Sequence, residues 1–144
     1  MNKFFKGFLN SLIIFLIYFY SSVSAQIIND CDRLASHPED PNKISDGIIW
    51  EEFTRFDEAI IACEDAVKNY PNEARYVFQL GRAHLKKENF QIAFNLFNEA
   101  ASKNYSMANY LLGMMSFHED GNLSEYSYDF TISNFEKAKE IEYL

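Results

Sequence analysis

Small and apolar side chains recur at intervals of three and four residues through residues 79–101, which is the spacing of one face of an α-helix. Gly81 interrupts this pattern, although glycine costs a helix interior about 1 kcal/mol relative to alanine. An offset of 34 residues superposes an earlier stretch of the chain on this one. It pairs Gly47 with Gly81, Phe56 with Phe90, Ala59 with Ala93, Cys63 with Phe97, and Ala66 with Ala100.

A third unit follows with a changed spacing. Leu80-Gly81 maps onto Leu112-Gly113 at an offset of 32, whereas Phe97 and Ala100 map onto Phe135 and Ala138 at an offset of 38. The extra residues therefore lie between the two helices of the unit, in "EDGNLSEYS", which has the composition of a loop. Insertion into a loop with intact helical periods is typical of an array of helical hairpins.

The pattern resembles the tetratricopeptide repeat, with a small residue at Gly81 or Gly113 and an alanine twelve positions after Gly81, at Ala93. An aromatic residue comes four positions later and another alanine three after that. The third unit, "MANYLLGMMSFHEDG", and the junction "AASKNY" are similar to the related Sel-one-like repeat, with Asn104 in the place of the usual glycine. Asparagine suits the left-handed conformation that ends a helix. The resemblance implies an all-α fold, a short α-solenoid of antiparallel helix hairpins.

The resemblance covers about residues 47–142 and implies a helical repeat domain over residues 47–144, with about three units. The first unit is degenerate, because Asp46 stands in the place of Leu80. Residues 26–46 are expected to form an irregular segment that contains Cys31. The string "CDRLASHPEDP" in this segment, together with "AIIAC" at residues 59–63, resembles the opening of small exported bacterial proteins that carry such repeats.

The two aligned glycines predict close crossings between helices. A residue without a side chain lets two helix axes approach, and Phe90, Phe97, Tyr128 and Phe135 are expected to fill the space beside each crossing.

Residues 1–25 have the three regions of an export signal. Lys3 and Lys6 supply positive charge, "FLNSLIIFLIYFY" supplies an apolar run of 13 residues, and Val23-Ser24-Ala25 supplies a cleavage site. Cleavage would make Gln26 the first residue of a periplasmic or secreted protein. An uncleaved membrane anchor is the alternative.

The acidic balance of the chain disfavours two classes of partner. The full chain has 13 basic and 21 acidic side chains, and removal of the signal leaves 11 − 21 = −10. Nucleic acids and anionic lipid surfaces are bound by basic patches, so neither is expected as a partner. A basic partner and simple solubility both remain compatible with this charge.

Cys31 and Cys63 both follow the predicted cleavage site, and an exported chain meets an oxidising compartment. They allow one internal disulfide, which would connect the segment before the repeats to the first unit. Two free thiols and an intermolecular bridge are the alternatives.

No nucleophile motif, phosphate-binding loop or zinc-binding helix motif is evident, so no catalytic residue, cofactor or metal site is predicted. His37, His84 and His118 are scattered along the chain. The cluster His118 to Asp120 contains possible cation ligands but lacks a second ligand group.

Two stripes at helical spacing are the candidate partner-binding residues, because the corresponding face of the tetratricopeptide repeat lines a concave groove. The alternative is that the second stripe belongs to the core. The stripes are Arg75, Phe78, Arg82 and Leu85 in the second unit, and Met107, Tyr110, Met114 and Phe117 in the third.

These observations predict an exported, non-catalytic module that binds a peptide or protein partner in the groove of a helical repeat. Two other classes remain open. One is an envelope module that contacts the cell wall, and the other is an accessory subunit or cryptic hydrolase of an envelope enzyme. Self-association through the C-terminal edge, at Ile141, Tyr143 and Leu144, is a further possibility.

Overall fold

The computed structural model describes residues 27–117 and 128–142. Helices and connecting segments account for these residues, and no β-strand occurs among them, so the all-α prediction is confirmed for this part of the chain. The elements are α1 (Asp30–Ala35), a short 3₁₀ helix (Trp50–Glu52), α2 (Phe56–Asn69), α3 (Ala74–Lys86), α4 (Phe90–Ser102), α5 (Ser106–Phe117) and α6 (Tyr128–Glu142).

Helix α1 lies within the segment that was expected to be irregular, which corrects that part of the prediction. A reciprocal pair of hydrogen bonds begins the helix. The Asn29 side chain accepts from the backbone N–H of Asp32 at 3.1 Å, and the Asp32 carboxylate accepts from the backbone N–H of Asn29 at 3.1 Å. This capping box satisfies two backbone donors that would otherwise lack partners, and so stabilises a helix of only six residues.

Helices α2 to α6 contact one another in chain order, and α1 packs against both α2 and α3. Turns of three or four residues join α2 to α3, α3 to α4 and α4 to α5, and connections this short make neighbouring helices antiparallel. Two turns contain a residue in the left-handed conformation, Glu88 with φ 64° and Asn104 with φ 62°. The conformation predicted for Asn104 is thus confirmed.

Two clusters of buried side chains share α3. One cluster joins α1, α2 and α3 around Phe53, Cys63 and Leu80, and the other joins α3, α4 and α5 around Phe78, Phe97 and Leu112. Because α3 presents residues to both clusters, it lies in the interior along most of its length. This explains why nine consecutive residues of α3, from Arg75 to Ala83, are buried.

The predicted close contacts at Gly81 and Gly113 are confirmed. A Cβ atom placed on Gly81 would lie 2.8 Å from Cε1 of Phe97, and one placed on Gly113 would lie 2.8 Å from Cε1 of Phe135. Each phenylalanine ring therefore rests directly on the backbone of the preceding helix. The same contact recurs in two successive hairpins, as the alignment of Phe97 with Phe135 predicts.

Gly47, by contrast, is not a helical glycine. It lies in the loop between α1 and the 3₁₀ helix with φ 81°, and a Cβ there would lie 2.6 Å from the backbone nitrogen of Pro38. The alignment of Gly47 with Gly81 is therefore wrong, because this glycine serves a tight loop and not a helix crossing. The first helix of the first unit is absent at this position.

The predicted disulfide is confirmed in the structure. Cys31 on α1 is bonded to Cys63 on α2, with the two Cα atoms 4.7 Å apart. Both residues are fully buried. The bond fixes α1 against α2, and α1 also contacts α3.

Several predictions fall on other residues. The export signal at residues 1–25, the inserted stretch "EDGNLSEYS", the cluster from His118 to Asp120, and Tyr143 and Leu144 all lie outside the described residues. The side chain of Ile141 does so as well.

Candidate functional site

The first predicted stripe, on α3, is covered by the chain's own N-terminal segment. Helix α1 and the following loop bind Arg75 and Arg82, whereas Phe78 packs against Phe97 and Tyr105, and all three residues are buried. In this structure the three side chains have partners within the chain, and contact between them and another molecule stays a prediction. Leu85, near the end of α3, is only half-buried and lines a cleft described below.

Arg75 forms a buried ion pair with α1. Its Nε donates to Oδ1 of Asp32 at 2.8 Å, and its Nη2 donates to the Tyr76 hydroxyl at 2.6 Å. Burial alone would lower the pKa of Arg75, but the hydrogen bond and the charge of Asp32 outweigh burial and raise it. Nη1 also bonds to the carboxylate of Glu73, so every nitrogen of the guanidinium has a partner within the chain.

Gln79, one turn further along α3, connects the same two elements. Its Nε2 donates to Oδ1 of Asp32 at 3.1 Å and to the hydroxyl oxygen of Ser36 at 2.9 Å. Asp32 and Ser36 are both fully buried. These contacts satisfy polar groups on α1 that would otherwise be desolvated without partners.

Arg82 binds backbone and not a carboxylate. Its two terminal nitrogens donate to the carbonyl oxygens of Ala35, Ser36 and Ile48, with the contact to Ala35 at 3.0 Å. The guanidinium also lies over the ring of Phe53, with Cζ 4.9 Å from the ring centroid. Burial lowers the pKa of Arg82 to about 10, opposed in part by the charge of Asp40.

The second predicted stripe, on α5, is not covered in the same way. Tyr110 is 40 % exposed and Phe117 is 69 % exposed, while Met107 and Met114 are half-buried. The alternative that this stripe is simply core is therefore wrong for Tyr110 and Phe117. Whether the stripe binds a partner stays a prediction.

A cleft of about 640 Å³ lies between the N-terminal loop, the end of α3, and α5. We call it the aromatic cleft. Clefts of this volume are in the range of sites that hold small molecules or parts of peptides. The residues that matter here are His37, Trp50, Arg82, Leu85, Lys86, Glu88, Tyr110 and Met114.

Trp50 and Lys86 form one wall of the aromatic cleft. The Lys86 ammonium lies 4.5 Å from the centroid of the Trp50 ring and donates to the Trp50 carbonyl oxygen at 2.7 Å. A cation above an indole face is attracted by the quadrupole of the ring. This pair holds the 3₁₀ helix against the end of α3.

A second cleft of about 480 Å³ adjoins the aromatic cleft at Tyr110, which lines both. Met107 and Phe135 contribute apolar surface to it, and Glu39 and Pro41 come from the N-terminal loop. Both clefts contain residues of α5 and residues of the N-terminal loop. The structure thus brings Leu85, Met107, Tyr110 and Met114 together along one surface.

Sequence reasoning missed Trp50, Lys86 and His37 as cleft residues. The sequence contains two weak indications of these residues. Trp50 is the single tryptophan of the chain, and Lys86 follows Arg82 by one helical turn, but neither fact alone indicates a cleft. His37 is half-buried, and the backbone N–H of Glu39 donates to its Nδ1 at 3.1 Å. Burial, and secondarily the charge of Arg82, lower the pKa of His37.

Within the described part of the chain, no group of three or more His, Cys, Asp or Glu side chains is placed to hold a metal ion together. No helix within residues 27–117 or 128–142 is both long and apolar enough to cross a membrane.

Comparison with models of protein families, with curated proteins and with solved structures finds no match for this chain.

Proposed function

We propose that this chain is an exported, non-catalytic binding module, built as a short α-solenoid of the tetratricopeptide or Sel-one-like type. It holds a peptide or a protein segment in the aromatic cleft and its continuation along α5. The observation that carries the proposal is the position of this cleft, directly beside a surface on which the protein already binds polypeptide, its own N-terminal segment.

The self-contact on α3 supports a peptide as the ligand class. Arg75 and Arg82 bind a side-chain carboxylate and three backbone carbonyls of the N-terminal segment. At an offset of 32 residues, Met107, Tyr110, Met114 and Phe117 occupy the corresponding positions on α5. The face therefore changes from charged and covered to apolar and accessible between one hairpin and the next.

The lining of the aromatic cleft favours a peptide that combines an apolar side chain with an acidic one. Tyr110, Met114 and Trp50 offer apolar surface, and methionine adapts to side chains of different shape. Lys86 and Arg82 carry positive charge in the lining of the cleft at neutral pH and Glu88 carries negative charge, whereas burial lowers the pKa of His37 and favours its neutral ring. In a chain with a formal net charge of −8, this local excess of basic groups favours an acidic ligand.

Trp50 makes the proposal directly testable, because its fluorescence reports on this cleft alone. Tryptophan-free peptides with a Phe or Leu next to Asp or Glu should change the emission saturably. The same peptides with Lys in place of the acid should bind about tenfold more weakly. Tyr110→Ala and Lys86→Ala should each weaken binding of the acidic peptides by a similar factor.

Ile61→Ser is a suitable control, because Ile61 is 70 % exposed on α2 and does not line the cleft. It should leave peptide affinity unchanged. The proposal fails if no peptide shifts the emission, or if Tyr110→Ala binds as tightly as the unmodified protein.

A further inference from the structure

A third cleft, of about 560 Å³, lies between α4, α5 and α6. Because α5 has 3.6 residues per turn, Asn109 and Leu112 face away from Tyr110 and Met114. This cleft is therefore on the other side of α5 from the aromatic cleft. We call it the asparagine cleft after four residues in its wall, Asn98, Asn104, Asn109 and Asn134.

The wall of the asparagine cleft is polar but almost uncharged. Four carboxamides line it, Lys137 is the one ionisable side chain among the described residues of the wall, and no carboxylate is present there. The half-buried ring of Phe130 supplies an apolar surface beside them. Acidic residues outnumber basic ones by 21 to 13 in the whole chain, so the neutral wall differs from the rest of the surface.

Asn109 is the residue that points to a ligand. The residue is only 4 % exposed, lines the cleft, and its side chain forms no hydrogen bond to another described residue. A carboxamide has two donors and two acceptor positions, and those of Asn109 are not used by the described part of the protein. The group therefore presents unused hydrogen-bonding capacity at the floor of the cleft.

Two neighbouring carboxamides also present unused acceptors. Nδ2 of Asn98 donates to the Phe94 carbonyl at 3.0 Å, and Nδ2 of Asn134 donates to the Phe130 carbonyl at 2.9 Å. Each bond is made within the residue's own helix and uses the amide nitrogen. The side-chain oxygens of both residues remain as acceptors for a ligand.

From this arrangement we propose that the asparagine cleft binds a neutral saccharide that carries an acetamido group. Sugar hydroxyls donate and accept at once, which matches a wall of carboxamides. The N–H and C=O of an acetamido group pair reciprocally with the carboxamide of Asn109. The C–H face of a pyranose ring can lie against Phe130, and the cleft has the volume of a small-molecule site. A single ammonium, at Lys137, and the negative net charge disfavour a phosphate or a polyanion.

The test uses the disulfide-bonded protein purified after export, with the trisaccharide of N-acetylglucosamine as the probe. Cellotriose has the same ring and linkage but no acetamido group, so it is the matched control ligand. In ¹⁵N NMR spectra, the side-chain amide signals of Asn98, Asn109 and Asn134 should shift saturably with the first sugar. Cellotriose should bind at least about tenfold more weakly.

Asn109→Leu removes the carboxamide but keeps the branched shape and the number of side-chain heavy atoms, and it should reduce affinity for the acetamido sugar at least about tenfold. Met114→Leu, on the other side of the same helix, should not. No saturable shift by about 10 mM sugar, equal binding of cellotriose, or full binding by Asn109→Leu would each overturn the proposal. If Asn109→Leu does not fold, the side-chain amide shifts of the unmodified protein with the two sugars still test the proposal.

This inference is independent of the proposed peptide site. A peptide that changes Trp50 emission should leave the asparagine signals in place, and the sugar should leave Trp50 emission unchanged. Failure of one site is thereby distinguishable from failure of the other.

Discussion

Gly81 and Gly113 show how one missing side chain determines a helix crossing. Glycine has a lower helix propensity than alanine, but the missing side chain lets a phenylalanine ring pack directly on the helix backbone. The two contacts differ in their surroundings. Phe97 is fully buried between α3 and α5, whereas Phe135 is half-buried on α6. A ring that is enclosed on all sides has less freedom to move away from an added methyl group.

We therefore expect Gly81→Ala to destabilise the protein by about 1 to 3 kcal/mol, despite the gain in helix propensity. Gly81→Leu should cost at least as much. Gly113→Ala should cost less, because Phe135 can shift toward solvent. Urea unfolding followed by circular dichroism measures all three, and a Gly81→Ala protein as stable as the original would show that the crossing is not tight. Restoring stability with Phe97→Leu in the Gly81→Ala background would confirm the clash.

His37 makes the N-terminal loop sensitive to pH. Its pKa is lowered in the folded protein by burial and by Arg82, so the unfolded chain binds its proton at a higher pH than the folded chain does. The free energy of unfolding should consequently fall as the pH decreases below about 6.5, and should be retained above it. An NMR titration of the His37 ring protons should give a midpoint below 6.5. A midpoint above that value would contradict this environment, and His37→Asn should remove this part of the pH dependence.

Helix α1 is the element that determines which surface remains for a ligand. It is held by the disulfide to α2 and by Asp32, Ser36 and two backbone carbonyls to α3. Two independent kinds of restraint therefore keep this short helix on the face of α3. The face of α5 has no such cover among the described residues, apart from the loop residues that border its clefts.

Replacing both Cys31 and Cys63 with alanine should lower the free energy of unfolding by about 3 to 4 kcal/mol, because the bond closes a long loop in the unfolded chain. The 32-residue separation between the cysteines sets that loop. The helix should remain docked, since its polar contacts with Arg75, Gln79 and Arg82 persist. Hydrogen exchange at residues 31–36 checks this second point. Loss of protection there without global unfolding would show that the disulfide alone holds α1.

Part of this element could be predicted from the sequence, and part could not. The helical period placed Arg75, Phe78 and Arg82 on one face, and the export signal favoured a Cys31–Cys63 bond. The helical period does not indicate, however, which other segment of the chain packs on that face of α3. Asp32 and Ser36 lie in a short stretch without apolar repetition, and their pairing with Arg75 and Gln79 spans more than forty residues. Long-range pairing of that kind has no local signature, so the helical period alone does not show that α1 and the following loop contact Arg75 and Arg82.

At the scale of the whole molecule, the disulfide is consistent with the export signal predicted for residues 1–25. The bond requires an oxidising compartment, and the predicted signal would deliver the chain to one. We expect the exported protein to begin at Gln26, and mass spectrometry of the secreted or periplasmic material measures this. Retention of residues 1–25 would instead support the membrane-anchor alternative. Expression without residues 1–25 in a reducing cytoplasm should yield protein with two free thiols.

The last hairpin has an incompletely covered face, which bears on self-association. Phe97 in α4 is fully buried because α5 follows it, whereas its counterpart Phe135 in α6 is half-buried. Helical repeat arrays normally cover their final apolar face with a capping element. Tyr143 and Leu144 follow α6 in the sequence and lie outside the described residues, and we expect them to contribute to an association between two copies.

Light scattering at high protein concentration should therefore detect a dimer, and Tyr143→Ser with Leu144→Ser should shift it toward monomer. Tyr110→Ala, which affects the aromatic cleft, should leave the oligomeric state alone while it weakens peptide binding. The serine substitutions should in turn leave peptide affinity unchanged. A monomer both before and after the serine substitutions would contradict association through this edge. The aromatic cleft would then remain the proposed surface for a peptide partner, because the N-terminal segment of the chain itself already occupies Arg75 and Arg82 on α3.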